Sequence, residues 1–192
     1  MKAIKSPTKQ YFDQFDDQQR VQLERLFRVL HILIPNADET IKWGKPTLSV
    51  RGKNVIHIGG FREHNSVLIT SPAVFGKLKS LPNWCRVGEI TLSFPINRLP
   101  PKSVLRQLVT ARLTEFSQVT NGMRLDFSKT GRLRAEGVVK DSKLHGKWRW
   151  YRDDGSLMRT GQFRNGKNTG EWKTYDRNGR VVRTTLRNTL QP

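Results

Sequence analysis

The spacing of apolar and polar positions splits the chain into two regimes. In the first, helical and strand periods alternate. Val21, Leu23, Leu26, Phe27, Leu30 and Ile34 recur at steps of three and four with charges between them. This predicts an amphipathic helix opening at Asp16 or Asp17 and ending at Pro35. A short helix begins over residues 8–11, and Asn36 or Asp38 starts a single turn, after which Gly44 and Pro46 force extended chain. Three β-type runs follow at 47–50, 54–58 and 66–70, separated by turns at Arg51-Gly52-Lys53 and His64-Asn65. Short turns between successive strands imply antiparallel pairing. Ser71 and Pro72 open a helix that Leu81-Pro82 stops. A fourth strand covers 89–94. A last helix covers 99–116, with Val104, Leu105, Leu108, Val109 and Leu113 as its buried stripe. The sum is an α+β domain, an antiparallel sheet with helices on one face.

In the second regime only strand patterns remain, and they repeat. Gly146-Lys-Trp-Arg-Trp-Tyr-Arg-Asp-Asp-Gly155 returns 24 positions later as Gly170-Glu-Trp-Lys-Thr-Tyr-Asp-Arg-Asn-Gly179. The same step relates Trp148 to Trp172, Tyr151 to Tyr175, and Gly137 to Gly161. A fixed period in this range marks a repeat array. Asp153-Asp-Gly155 and Asn165-Gly-Lys supply tight turns, so each unit reads as a β-hairpin. Trp148, Tyr151, Phe163, Trp172 and Tyr175 are the expected repeat core, whereas Arg149 and Arg152 frame the opposite, exposed face. The last unit decays, with Thr185 in the Gly place and Arg187 in the Phe place, as suits a charged end strand. The organisation is therefore an α+β domain at 1–118, a linker at 119–123 and a small all-β hairpin-repeat domain at 124–192.

Composition narrows the partners. The chain of 192 residues carries a formal net charge of +19. Residues 1–120 hold 18 basic and 9 acidic side chains, and residues 121–192 hold 17 and 7, so both parts are basic. Such a field favours anionic partners. Cys85 is the sole cysteine, which excludes an internal disulfide and a cysteine-built zinc site. The beginning lacks the apolar run of a signal peptide, and no stretch reaches the roughly 20 apolar residues of a membrane span. The expected location is the cytoplasm.

Catalytic chemistry finds no candidate set. No nucleophile–base pair, metal cluster or phosphate loop has the required spacing. Arg86 beside Cys85 is the one feature that would lower a thiol pKa. His31 reads as a surface or helix-end residue, and His57 as a residue facing solvent from a strand. Trp43 and Trp84 are bulky enough to wall a groove, with Lys45 and His64 beside it. In the tail, Arg149, Arg152 and Arg164 lie between aromatics, an arrangement that would pair phosphates.

Two resemblances sharpen this. Ile41-Lys-Trp-Gly-Lys-Pro46, the strand at Lys53, Phe61-Arg-Glu-His64 and the Phe94-Pro95…Leu99-Pro100 ending look like the YdhG-like family, over about residues 8–118. That family, of unknown function, includes proteins described as frataxin-like iron chaperones. The resemblance implies an α+β fold with a groove near the Trp-Gly-x-Pro loop. Metal handling would fall to Asp13, Asp16, Asp17 and Glu24 along the first helix, which otherwise read as a solvated helix start. The pattern Gly-x-Trp-x-x-Tyr-x-x-x-Gly, followed by Gly-x-Phe-x-Asn-Gly, resembles the MORN-variant repeats of YwqK-type bacterial proteins, over about residues 124–188. Such repeats are associated with contacts to proteins or anionic lipid. The expectation is a non-enzymatic binding or scaffold protein with no cofactor and no metal. Its partner would be a protein, with weak binding to nucleic acid or anionic lipid; iron chaperoning is the alternative.

Overall fold

A computed structural model describes residues 6–187 of the chain. The outermost residues of both expected domains, 1–5 and 188–192, lie outside the described residues. The chain divides into two compact units, Met1–Arg112 and Leu113–Pro192. Each holds an antiparallel sheet of six strands. Among the described residues no helix is long and apolar enough to cross a membrane, which says nothing of a β-barrel.

The first unit starts with α1 (Ser6–Phe12) and α2 (Asp17–Leu33). Asp16 caps α2, its carboxylate accepting from the Gln19 amide at 2.8 Å. Leu23, Leu26, Phe27, Leu30 and Ile34 are buried, but Val21 is half exposed and lies off the stripe. Strands β1 (Asp38–Lys42), β2 (Lys45–Val50), β3 (Lys53–Gly60) and β4 (His64–Leu68) follow. The one-turn helix α3 (Pro72–Phe75) leads to β5 (Arg86–Val87) and β6 (Thr91–Pro95), and α4 spans Lys102–Ser117. The sheet runs β1-β2-β3-β4-β6-β5.

The structure departs from the sequence reading where polar runs hide strands. Residues expected to make a helical turn after Asn36 form β1 instead. Its register with β2 runs from Asp38↔Ser49 to Lys42↔Lys45, leaving Trp43 and Gly44 as a two-residue hairpin turn. Both have positive φ, 51° and 69°. That is the geometry hairpins favour, yet such a φ is unusual for a bulky side chain. Arg51 and Gly52 repeat it between β2 and β3, with φ of 50° and 77°.

The two faces of this sheet differ in chemistry. Leu48, Ile56, Ile58, Val67 and Leu92 share one, paired as Leu48↔Ile56, Ile58↔Val67 and Val67↔Leu92. The other face reads Thr40, Thr47, His57 and Leu68 in one row. The next row is Gly59, Ser66, Ser93 and Arg86. Thr47, Ser49, His57 and Ser66 are nevertheless buried.

The second unit is built from β7 (Gly122–Phe127), β8 (Leu133–Lys140), β9 (Lys143–Tyr151), β10 (Leu157–Arg164), β11 (Lys167–Tyr175) and β12 (Val181–Arg187). Each strand pairs with the next in an unbroken meander. Trp148 stands between Gly137 on β8 and Gly161 on β10. Its ring fills the space over Gly137, where an added Cβ would lie 2.3 Å from the indole. Trp172 does the same over Gly161 at 2.4 Å. Glycine is required at both places because the ring occupies the side-chain position.

Candidate functional site

In the first unit the groups with chemical potential gather at one end of the polar face. The β1–β2 turn presents Trp43, 71% exposed, whose ring centroid is 4.9 Å from that of His57. Lys45 opens β2 and places its ammonium 5.6 Å from the centre of the Phe61 ring. Phe61 stacks on His64 at 4.7 Å, nearly parallel. The turn that carries both is pinned by the Phe61 amide donating to the His64 carbonyl. Gln19 of α2 donates to the Phe61 carbonyl and to Asn65 Oδ1, both at 2.8 Å. Gly59 leaves room for the Phe61 ring, since a Cβ there would sit 2.8 Å from it.

His57 lies at the centre and is 3% exposed. The expectation that it faces solvent is corrected: Thr47, Ser49, His57 and Ser66 on the polar face are buried although Thr40 and Arg86 on the same face are exposed, so strand alternation did not report exposure. Its Nδ1 is 2.7 Å from Thr47 Oγ1, and that hydroxyl donates to the Lys45 carbonyl at 3.1 Å. His57 Nε2 and Ser66 Oγ are buried with no hydrogen-bond partner among the described residues. Burial holds the His57 pKa down to about 4, assisted by the positive charges of Lys42, Arg112 and Lys45. Lys42 donates to Asn54 Oδ1 at 2.7 Å, and Arg112 donates to the Asn54 carbonyl.

Trp43, Lys45 and His64 are thus brought together, and Trp84 is not among them. The Trp84 ring instead carries the Arg98 guanidinium at 5.0 Å. Sequence reasoning missed His57 as the centre and Ser66 on the adjacent strand. The available signal was the run of hydroxyls at Thr47, Ser49 and Ser66 on strands otherwise rich in valine and isoleucine. Burial pushes the Cys85 thiol pKa up, so Arg86 does not activate it. His31 is a helix-end residue, in the last turn of α2, and is only partly exposed. Its Nε2 lies 2.9 Å from Glu39 Oε1, tying the end of α2 to β1.

The acids of the first helices are spent on local pairs. Asp13 meets Lys9 at 2.6 Å and Arg20 at 3.6 Å, and the Lys9 hydrogen bond holds its pKa below the usual range. Asp17 meets Arg20, and Glu24 meets Arg28. Among the described residues no three His, Cys, Asp or Glu side chains gather to hold a metal ion.

In the second unit the aromatic side chains contact one another. Trp148, Trp150, Phe163 and Trp172 form a continuous ladder with centroid separations of 5.3–6.2 Å. Trp148 and Trp172 are buried, and Phe163 is half-buried. The tyrosines point to the other side of the sheet. Tyr151 donates to Glu136 Oε1 at 2.5 Å, and Tyr175 lies 3.3 Å from Thr160 Oγ1.

Arg149 and Arg164 are exposed, but Arg152 is not a free surface cation. Its guanidinium donates to the carbonyls of Leu157 (2.9 Å), Asp176 (3.5 Å) and Tyr175. It therefore clamps one turn to the next. The expectation of an exposed Arg152 fails because turn carbonyls need donors, and a planar five-donor fork supplies several at once.

No protein-family model matches the chain, and no curated protein matches it. Among solved structures, the chain is similar to YdhG of Bacillus subtilis, a protein of the DUF1801 family. The two share 16% identity at a TM-score of 0.50, over 58% of this chain and 91% of that one. At this identity the likeness is one of fold, and it supports a YdhG-like domain here. Two crystal structures of S. aureus TarM align at 9% identity and a TM-score of 0.24, over 93% of this chain and 24% of theirs. So low a score carries no argument.

Proposed function

We propose that the chain is a non-enzymatic binding protein: a YdhG-like domain, with its helices on one face of the sheet, joined to MORN-like repeats. The observation that carries this is the meeting of Trp43, Lys45, Phe61 and His64 around a buried His57 that, among the described residues, lacks a hydrogen-bond partner on Nε2. Exposed rings beside unspent buried polar atoms suit recognition. Thr47, the hydroxyl in contact with His57, donates to the Lys45 carbonyl and so is held as a structural partner of the ring.

The repeat unit supports the same reading from another direction. Its large rings are consumed in its own core, so what remains outside is a basic surface bearing Arg149 and Arg164. That surface suits an acidic protein, and binds nucleic acid or anionic lipid weakly through charge. The test is capture of partners from a lysate by the full chain, by a Trp43→Ala/Lys45→Ala variant and by an Arg149→Gln/Arg164→Gln variant, each with and without nuclease. A protein partner retained after nuclease and lost in one variant supports the reading. Capture that nuclease abolishes replaces it with nucleic-acid bridging.

A further inference from the structure

Inside the first unit, the hydrogen bonds around His57 fix its tautomer. A hydroxyl has one proton to give. Thr47 donates that proton to the Lys45 carbonyl, so the 2.7 Å contact to His57 requires Nδ1–H to donate to Thr47 Oγ1. A neutral imidazole with its proton on Nδ1 carries a bare lone pair on Nε2. Among the described residues that lone pair is buried and unmatched, as is the hydroxyl of Ser66, which lies on the same face of the adjacent strand, paired with Gly59 two residues along from His57. Leaving buried polar atoms unmatched is unfavourable, and a ligand atom would remove the penalty.

The surroundings state what kind of atom. Lys42 comes from β1, Lys45 from β2 and Arg112 from α4, and all three act electrostatically on His57. On the same face, β1 also carries Asp38 at the far end, beside Ser49, and β5 carries Arg86 beside Ser93. Positive charge therefore outweighs negative charge on the polar face. A cationic ligand is disfavoured, and a bare anion would meet a lone pair at Nε2. Both conditions are met if the anion arrives and His57 takes up one proton.

We propose that the polar face of this sheet binds the oxyanion of a small planar ligand, a carboxylate or a phosphate ester, with His57 Nε2 gaining a proton from solvent to donate to it and Ser66 Oγ as second donor. Trp43 and Phe61 flank the site and stack the ligand's planar body. The exposed Trp43 indole swings aside to admit it. Protonated His57 keeps its existing bonds, because Nδ1–H already donates to Thr47. The proposal rests on reading the first unit as a binding domain. It adds the ligand's charge and a proton to the binding equilibrium.

The test is calorimetric titration of the full chain with benzoate and with phenyl phosphate over about pH 5 to 8. Histidine ring protons are followed by NMR, and His57 is assigned through His57→Gln. Benzoate stays ionised above its carboxyl pKa of about 4, so its linkage reports the protein alone. Between the free and bound pKa values of His57, affinity tightens about tenfold for each pH unit lowered. Binding of either probe with proton uptake and a raised His57 pKa supports the proposal, and the better probe identifies the oxyanion. Trp43→Ala, a change at an exposed side chain, weakens the aromatic probes and leaves the fold intact. The proposal is overturned if neither probe binds at millimolar concentration, or if binding leaves the His57 resonances unmoved. If it is overturned while a partner is still captured through Trp43 and Lys45, the binding function stands without the anion. If both are lost, both fail.

Discussion

Trp148 lies flat on Gly137, eleven residues before it, and Trp172 lies on Gly161 at the same offset. The ring and the missing side chain are one device: each glycine is the floor on which the next indole rests. Alanine at Gly161 would put a Cβ within 2.4–2.6 Å of the Trp172 ring. Gly161→Ala should therefore destabilise the second unit by about 1–3 kcal/mol through overpacking. Trp172→Ala should cost about 3–5 kcal/mol through the cavity it leaves. Urea unfolding followed by the loss of far-ultraviolet β signal measures both.

The two tyrosines occupy equivalent places but have unequal partners. Tyr151 donates to the buried carboxylate of Glu136, whereas Tyr175 makes a longer contact with a threonine hydroxyl. Tyr151→Phe should cost about 1.5–3 kcal/mol, as expected for a hydrogen bond to a charged group, and Tyr175→Phe about 1 kcal/mol or less. Equal losses in denaturant unfolding would show that the period, and not the partner, sets the energy.

Arg152 and Arg149 stand three residues apart and should separate cleanly. Arg152→Ala leaves turn carbonyls without their donor and should lower stability by about 1–3 kcal/mol. Arg149→Ala, at an exposed side chain 3.6 Å from Glu136, should stay within about 0.5 kcal/mol. Their effects on polyanion binding should run the other way, with Arg149 lowering the salt dependence measured by fluorescence anisotropy.

Acid should loosen the first unit through His57. Its folded pKa of about 4 lies below the unfolded value near 6.5, so between these limits the unfolded chain binds more protons. The stability contributed by keeping it neutral is fully present above about pH 6.5 and is lost as pH falls toward about 4. His57→Gln should flatten the dependence of the unfolding midpoint on pH across that window. A variant that keeps the wild-type slope would assign the acid sensitivity to other groups.

The sequence disclosed what depends on period. The helix Asp17–Leu33, the hairpin at Arg51-Gly52 and the 24-residue spacing all follow from local pattern and turn chemistry. It concealed what depends on tertiary cover. Strand β1, Asp-Glu-Thr-Ile-Lys, has no apolar alternation, and it pairs because β2 offers it an edge. Trp43-Gly44 did not read as a tight turn because tryptophan rarely occupies its first place. His57 reads as a solvent-facing strand residue until its own part of the polar face is found to be buried. Arg152 looks identical to Arg149 until the turn carbonyls around it are located.

The seat of each indole on the preceding glycine has one more consequence. Every contact of this kind spans the same interval, so the array behaves as a set of interchangeable cassettes. Excising residues 137–160 joins Glu136 to Gly161 and puts Trp172 eleven positions beyond a glycine once more. The hairpin turns and the alternation of faces close over such a cut, while the aromatic ladder shortens to Phe163 and Trp172, since Trp148 and Trp150 leave with the cassette. Losing one residue fewer would put the strand segment before the cut out of phase with the segment after it, reversing the face its side chains take. Duplication and loss of whole cassettes is thus the route by which this sheet can change length without inventing a new contact.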